Sequence, residues 1–204
     1  MREMIDCFLP CEEEEIIKTT VEELNGNSCV HDVFLLEHAI CNTESISEIA
    51  AKATAEYVLL NLKATPVSYG YNALPRMLRA IADSDAALLY SDFYSMMDGK
   101  RTSHPVIDYQ LGSLRNDFDF GSILLVKASL IRQYVQSNPQ EYQFAAFYDL
   151  RLFLSRKGTI MHLNEYLYTE IEQDLRKSGQ KQFDYVNPAN REVQIEMEKA
   201  CTAH

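Results

Sequence analysis

Neither glycine-rich phosphate loop, G-x-G-x-x-G or G-x-x-x-x-G-K-[S/T], occurs in this chain, and only 7 glycines are spread over its 204 residues. A plain Rossmann-type nucleotide domain needs such a loop to bring backbone N–H groups up to phosphate, so that class is set aside. Cysteine is sparse: the five (Cys7, Cys11, Cys29, Cys41, Cys201) are odd in number and form no C-x-x-C, and no second Cys/His pair completes a set with Cys7 and Cys11. This speaks against a structural zinc and for reduced thiols in the cytoplasm. No apolar stretch reaches the roughly 18 residues of a spanning helix, and none follows Met1-Arg2 as a secretory leader would. Positive charge is also short, with 19 Lys+Arg against 30 Asp+Glu, a net charge of −11 and a pI near 4.9. That balance argues against a broad nucleic-acid surface and against a polybasic membrane patch.

What is present is ordinary globular material, 47% apolar and 24% charged, of a length that suits one domain with a sizeable core. We expect residues 1–204 to form a single domain. The chain ends inside a helix-like pattern at Cys201-Thr-Ala-His204, which suggests the N-terminal part of a longer protein. The acidity is uneven. Residues 1–60 hold three basic and thirteen acidic groups, and residues 61–204 hold sixteen basic and seventeen acidic. A phosphate is therefore expected to find its partners in the later part.

The first 90 residues read as alternating strands and helices: strand 4–9 closed by Pro10, helix 12–24, strand 30–36, helix 45–55, strand 57–62, helix 70–82, strand 86–90. The helices carry apolar stripes, such as Leu74, Met77, Leu78 and Ile81, and Asn25-Gly26-Asn27 ends the first of them. Four carboxylates, Glu12 to Glu15, suit its first turn. Such alternation implies crossover units and a parallel sheet, with ligands beyond the carboxyl ends of the strands. Those ends are Leu9–Cys11, Glu37-His38, Asn61–Lys63 and Ser91-Asp92. Later, Met97-Asp98-Gly99-Lys100 reads as a hairpin turn. Residues 104–121 read as an irregular loop, 122–126 as a strand, 127–136 and 143–156 as helices, and 160–163 as a strand. A basic loop follows at Arg176-Lys177-Ser178-Gly179, and a last helix begins near Pro188.

Several segments in this order resemble the family-2 glycosyltransferases. They are Leu89-Tyr-Ser-Asp92, a turn with Gly99, Gly121-Ser122 before a strand, Tyr148-Asp149-Leu150-Arg151-Leu152, Gly158, and His162-Leu-Asn-Glu165-Tyr-Leu-Tyr168. In the first half, the strand ending at Pro10 and Ala55-Glu56-Tyr57-Val58-Leu59-Leu60 fit as well. The likeness covers about residues 4–180 and is greatest to a divergent Bacteroidales glycosyltransferase-like subgroup. It implies an α/β fold of GT-A type, a Rossmann-like three-layer sandwich with a mostly parallel central sheet. It also implies a nucleotide-diphosphate sugar donor, a glycan or lipid-linked acceptor and usually a divalent metal, manganese or magnesium.

The departures bear on each part of that chemistry. The family's Asp-x-Asp, which holds the metal against the donor's two phosphates, falls on Asn61-Leu62-Lys63. Lys63 is a fixed ammonium that could neutralise diphosphate charge without a metal. The family's catalytic base falls on Phe147. Asp149 lies two residues on, about 200° around a helix. Asp149 is the candidate base, since a carboxylate near the acceptor hydroxyl can deprotonate it. Its alternative is a cap or a salt bridge to Arg151 or Arg156.

Donor contacts are expected from Pro10, Glu37, Lys63, Asp92, Arg176 and Lys177. Asp92 sits at a strand end, where it could hold a metal or the ribose, or simply form a turn. Arg115, Asp117 and Asp119 form a candidate acceptor-side loop. In an extended segment Asp117 and Asp119 would point the same way, so with Asp92 they are the candidate metal ligands. His162 reads as a core histidine.

Two functions follow from the resemblance. The first is transfer of a sugar from a nucleotide-sugar donor to a hydroxyl acceptor in glycan or cell-surface polysaccharide synthesis. The second is a degenerate GT-A-like domain serving as a nucleotide or glycan binder or an assembly module. A homo-oligomer is compatible with either.

Overall fold

The computed structural model describes residues 4–11, 13–137, 140–171 and 189–204. In chain order the elements are β1 (Ile5–Pro10), α1 (Glu14–Asn25), β2 (Val30–Leu36), α2 (Thr43–Lys52), β3 (Tyr57–Asn61), β4 (Val67–Tyr69), α3 (Ala73–Ser84), β5 (Leu88–Met97), β6 (Lys100–His104), β7 (Ile123–Lys127), α4 (Ala128–Ser137), α5 (Ala146–Lys157), β8 (Ile160–Ile171) and α6 (Ala189–Ala203).

The strands lie in the order β2-β1-β3-β7-β5-β8-β4, and β6 pairs with β5. β2 and β3 flank β1 in parallel, and β8 runs parallel to β5. β7 runs against both β3 and β5, so β1, β2, β3, β5 and β8 all point one way. The mostly parallel sheet expected from the sequence is therefore present, with β7 as an opposed strand at its centre.

Residue alternation along the strands explains the three layers, because successive side chains leave a strand on opposite faces. On one face Cys7, Leu9, Tyr57, Leu59, Ile123 and Leu125 pack with Ile17 and Leu24 of α1 and Leu74, Met77 and Ile81 of α3. On the other, Phe8, Val58, Leu60, Leu124, Val126 and Tyr90 pack with Ile46 and Ile49 of α2, Ile131 of α4 and Leu150 and Leu154 of α5. β1, β3 and β7 are buried on both faces, which is why they read as continuous apolar runs.

Four local features differ from the sequence reading. α2 starts two residues early because Asn42 caps it, its Oδ1 accepting the Ser45 N–H at 2.8 Å. β5 runs on past Tyr90 to Met97 and turns through Asp98 and Gly99, both at positive φ, into β6. β8 is one strand from Ile160 to Ile171, not a strand and a separate segment, and it follows β5 through a bulge at Asp92. The short β4, hidden in a Ser/Pro-containing stretch, pairs with β8 and closes that edge.

Candidate functional site

The parallel strands deliver their carboxyl ends to one edge of the sheet, and the opposed β7 brings its first residues there too. β1 ends at the buried Pro10, and the Cys11 N–H donates to Leu36 O at the end of β2. Glu37 and His38 follow β2 and are exposed. β3 ends with Asn61 opposite Ile123, and the Leu62 N–H donates to Ser122 O at 2.8 Å.

Lys63 stands at the centre of this edge. Its backbone N–H donates to Asn61 Oδ1 at 3.2 Å, and its ammonium lies 2.7 Å from Glu170 Oε2 of β8. The Lys63 side chain is 49% exposed, whereas that of Glu170 is 3% exposed. Phe93 lies beneath the ammonium, 5.8 Å from Nζ to the ring centre, and stacks on Tyr168. The Tyr168 hydroxyl oxygen accepts from Ser122 N at 2.9 Å. Burial, and then the neighbouring Glu170 charge, push the Tyr168 phenol well above its ordinary pKa. Tyr69, opposite Tyr168 in the β4–β8 pair, is pushed up in the same way by burial and then by Cys7 and Tyr168.

Among the described residues, the buried side-chain polar atoms without a hydrogen-bond partner are Asn61 Nδ2, Thr65 Oγ1, Tyr69 OH, Ser122 Oγ and Glu170 Oε1, all toward this edge. Native interiors leave few such groups, because each costs about 1–3 kcal/mol unpaired. Their concentration at one edge makes it the candidate site. Glu170 was not among the residues singled out by sequence. Its signal was a charged residue sharing the inward parity of Leu163 and Tyr168 across the β8 irregularity.

A second polar group lies alongside. Asp92 is 5% exposed, and its Oδ1 accepts from the Val106 N–H and faces His162 Nε2, both at 2.9 Å. The other ring nitrogen, His162 Nδ1, lies 2.7 Å from Asp108 Oδ1. Tyr90 stacks on the imidazole at 4.8 Å and donates its hydroxyl hydrogen to Ile107 O. His162 is thus a buried histidine with both ring nitrogens satisfied, as expected, and it also fastens the segment after β6 to β5. The fastening also occupies Asp92.

The expected metal set does not assemble. Arg115 grips Asp117 through Nε at 2.9 Å and a second nitrogen at 3.0 Å, and this holds the Asp117 carboxyl below the usual range. Asp119 turns back to accept the Gly121 N–H at 2.8 Å. Asp117 is thus spent on a local ion pair and Asp119 on an Asx-type turn. Among the described residues, the side chains whose ligand atoms gather in a set of three within 4.8 Å are Asp6, His31 and Asp32. They stand at the amino end of β1 and β2, away from the carboxyl edge. There Asp6, fully buried, accepts the N–H groups of Thr54 at 2.6 Å and Ala55 at 2.7 Å and anchors the turn before β3. Among the described residues, no such set of three lies at the carboxyl edge.

Asp149 lies in the first turn of α5, where its Oδ2 accepts from Tyr134 OH of α4 at 2.9 Å. A tyrosine hydroxyl of the neighbouring helix is thus one of its partners. Phe147 packs against the core on the α2 and α4 side. Arg151 is 2% exposed and donates to Arg115 O at 2.7 Å and Ser113 O at 3.1 Å. It holds the loop from inside. Arg176 and Lys177 lie outside the described residues.

No family model and no curated protein sequence matches the chain. Solved structures do. The Staphylococcus aureus TarS 1–349 complex with UDP-GlcNAc superposes with a TM-score of 0.53 at 11% identity, covering 85% of this chain and 60% of that one. TarS with UDP gives 0.55 at 12%, covering 83% and 61%. The mannosyltransferase PcManGT from Pyrobaculum calidifontis, in complex with GDP-Man and Mn2+, gives 0.54 at 10%, covering 88% and 59%. The chain thus spans about three-fifths of the length of these structures. What they share with it is the architecture described above, and the fold of this chain is the GT-A fold of nucleotide-sugar glycosyltransferases.

Proposed function

We propose that the carboxyl edge of the sheet binds a nucleotide-diphosphate sugar and that the chain transfers the sugar to a hydroxyl acceptor. The observation that carries this reading is Lys63. It places an ammonium at the end of β3, beside buried polar atoms that await partners, in a fold whose solved examples hold UDP-GlcNAc or GDP-Man. A leaving diphosphate gains negative charge as the glycosidic bond breaks, and a preorganised cation there stabilises that charge. With no cluster of three ligand residues among the described residues at this edge, Lys63 supplies the charge itself and donor binding is independent of a divalent cation. Pro10 and Glu37 line the approach from β1 and β2, and Arg176 and Lys177 remain proposed donor contacts. Asp149 is the proposed base for the acceptor hydroxyl, exchanging its Tyr134 partner for it.

A second reading is favoured by Phe147 at the family's base position: a domain that binds the donor without transferring it. We assign the chain, in either case, as one GT-A-like domain of a divergent glycosyltransferase-like subgroup acting in cytoplasmic steps of surface-polysaccharide synthesis. Its five cysteines form no disulfide, which accords with a reducing compartment. No helix among the described residues is long and apolar enough to cross a membrane.

The test is a thermal-shift series with nucleotide sugars at millimolar concentration, in manganese and in EDTA. At least one should raise the melting temperature equally in both, since a ligand that binds only the native state stabilises it by mass action. Lys63→Met should abolish the shift. No shift from any nucleotide sugar overturns the reading. Release of nucleoside diphosphate in the presence of acceptors then separates transferase from binder.

A further inference from the structure

The arrangement around Lys63 carries a consequence for which ligands the edge accepts. Glu170 is buried, and one carboxylate oxygen is held by Lys63 while the other has no partner. At the end of β3, where Asn61 Oδ1 accepts the Lys63 N–H, the Asn61 amide nitrogen is likewise buried and unpaired. Lys63 is the exposed member of the group, half open to solvent on a flexible stem. An anion that draws the ammonium toward itself therefore uncovers Glu170 and leaves a buried carboxylate with neither partner. That state is strongly unfavourable, because an ion removed from water is stabilised only by a counter-charge or by hydrogen-bond donors. A ligand that takes Lys63 and offers nothing to Glu170 binds at that cost. A ligand that brings a hydroxyl within reach does not, since an O–H group donates to the carboxylate in place of the ammonium.

Resting on the donor-site reading above, we propose that Glu170 is a specificity-determining residue that accepts a hydroxyl of the ligand's sugar once Lys63 has moved to the phosphate. The edge then recognises a phosphorylated sugar as one unit. It discriminates against bare phosphate or pyrophosphate, which offer charge but no hydroxyl. Asn61 Nδ2, a donor only, complements the same ligand by serving one of its oxygens. The design also accounts for an acidic residue in a site meant for an anion. In the free protein Glu170 neutralises Lys63, and it is repaired by the part of the ligand that carries no charge.

Isothermal titration in EDTA tests this with inorganic pyrophosphate, UDP-glucose and GDP-mannose. Wild-type protein is expected to bind at least one nucleotide sugar tenfold or more tightly than pyrophosphate. Glu170→Gln should shift the two ligands in opposite directions. Pyrophosphate should bind several-fold more tightly, because Lys63 is no longer held and no charge is stranded, and the nucleotide sugar more weakly. A uniform change for both ligands overturns the proposal while leaving the donor site intact. Absence of nucleotide-sugar binding by the wild type overturns the donor site itself.

A second measurement needs no variant. Nucleotide sugars in which each sugar hydroxyl, ribose included, is replaced in turn by fluorine are titrated against the wild type. One position should cost tenfold or more in affinity. A loss below threefold at every position overturns the role of Glu170. Nucleotide-sugar binding that appears only when manganese is added overturns it too, since it would make the carboxylate a metal ligand.

Discussion

Gly121 shows how closely single residues set this edge. It has φ +72°, a left-handed conformation that side chains other than glycine's rarely adopt. A Cβ there would also collide with the Tyr168 hydroxyl and meet the Phe93 ring at 3.1 Å. Gly112, at φ +85°, has nothing within 4 Å of such a Cβ. Gly112→Ala thus measures the backbone conformation alone, for which about 1 kcal/mol of lost stability is expected. Gly121→Ala adds a steric clash with the tyrosine that anchors Ser122 and should cost about 3 kcal/mol or more in urea unfolding. Equal losses would show that the Tyr168 contact is unimportant. His31 gives a pH-dependent counterpart at the opposite edge. Its pKa is raised, first by the hydrogen bond to Asp6 and also by the charges of Asp32 and Asp6. A group whose pKa is higher in the folded state contributes stability that is complete below its ordinary value of 6.5 and lost as pH rises through the raised value. Urea midpoints should therefore fall from pH 6 to pH 8 in the wild type, and less so in His31→Gln. A variant with the same slope would locate the titration elsewhere.

The elements were legible where one simple period dominated and obscure where two influences competed. The α3 stripe was plain because Leu74, Met77, Leu78 and Ile81 fall on one face, and all four are buried. β1 and β3 were plain because a strand covered on both faces is apolar throughout. β4 was not legible: three residues carry no period, and only pairing with β8 makes them a strand. The continuation of β8 was masked by Asn164 and Glu165, polar residues at an irregularity that restores the pairing with β5. At the site, Lys63 was placed by its position at a strand end. Glu170 and the His162 bridge depend on which strands become neighbours, and that is fixed by tertiary pairing. The Asp117/Asp119 expectation assumed an extended segment, but the loop turns at Gly121 and uses both carboxylates locally. The start of α2 makes the same point testably. Asn42 lies outside the apolar stripe, yet it satisfies the Ser45 N–H. Asn42→Ala should lower stability by about 1 kcal/mol, whereas Asn42→Asp should be near neutral. Measured urea midpoints that leave the alanine variant unchanged would remove the cap from the account.

At the scale of the whole molecule, the sheet has two edges with opposite polar logic. At the amino edge Asp6 has every reach satisfied by backbone N–H groups and His31, which is how a buried carboxylate behaves when its task is to hold a turn. At the carboxyl edge the polar groups either lack partners, as around Lys63, or fasten a long segment, as His162 does. The His162 bridge from Asp92 to Asp108 is of the second kind. It joins β5, β8 and the segment after β6, while Arg151 and Tyr148 hold that segment farther on through Arg115 O and Leu114 O. Removing the bridge should loosen the near part of the segment and spare the rest. His162→Phe keeps a ring to stack on Tyr90 but offers no nitrogen to either carboxylate. Hydrogen exchange of the amides of residues 106–113 should rise by tenfold or more, beginning with Val106, whose N–H bonds Asp92. Exchange in β1, β2 and β3 should follow only the change in global stability. A rise spread evenly over the sheet would show that His162 supports the core as a whole and not this segment in particular. A local rise together with weaker nucleotide-sugar binding would show that the segment forms part of the site.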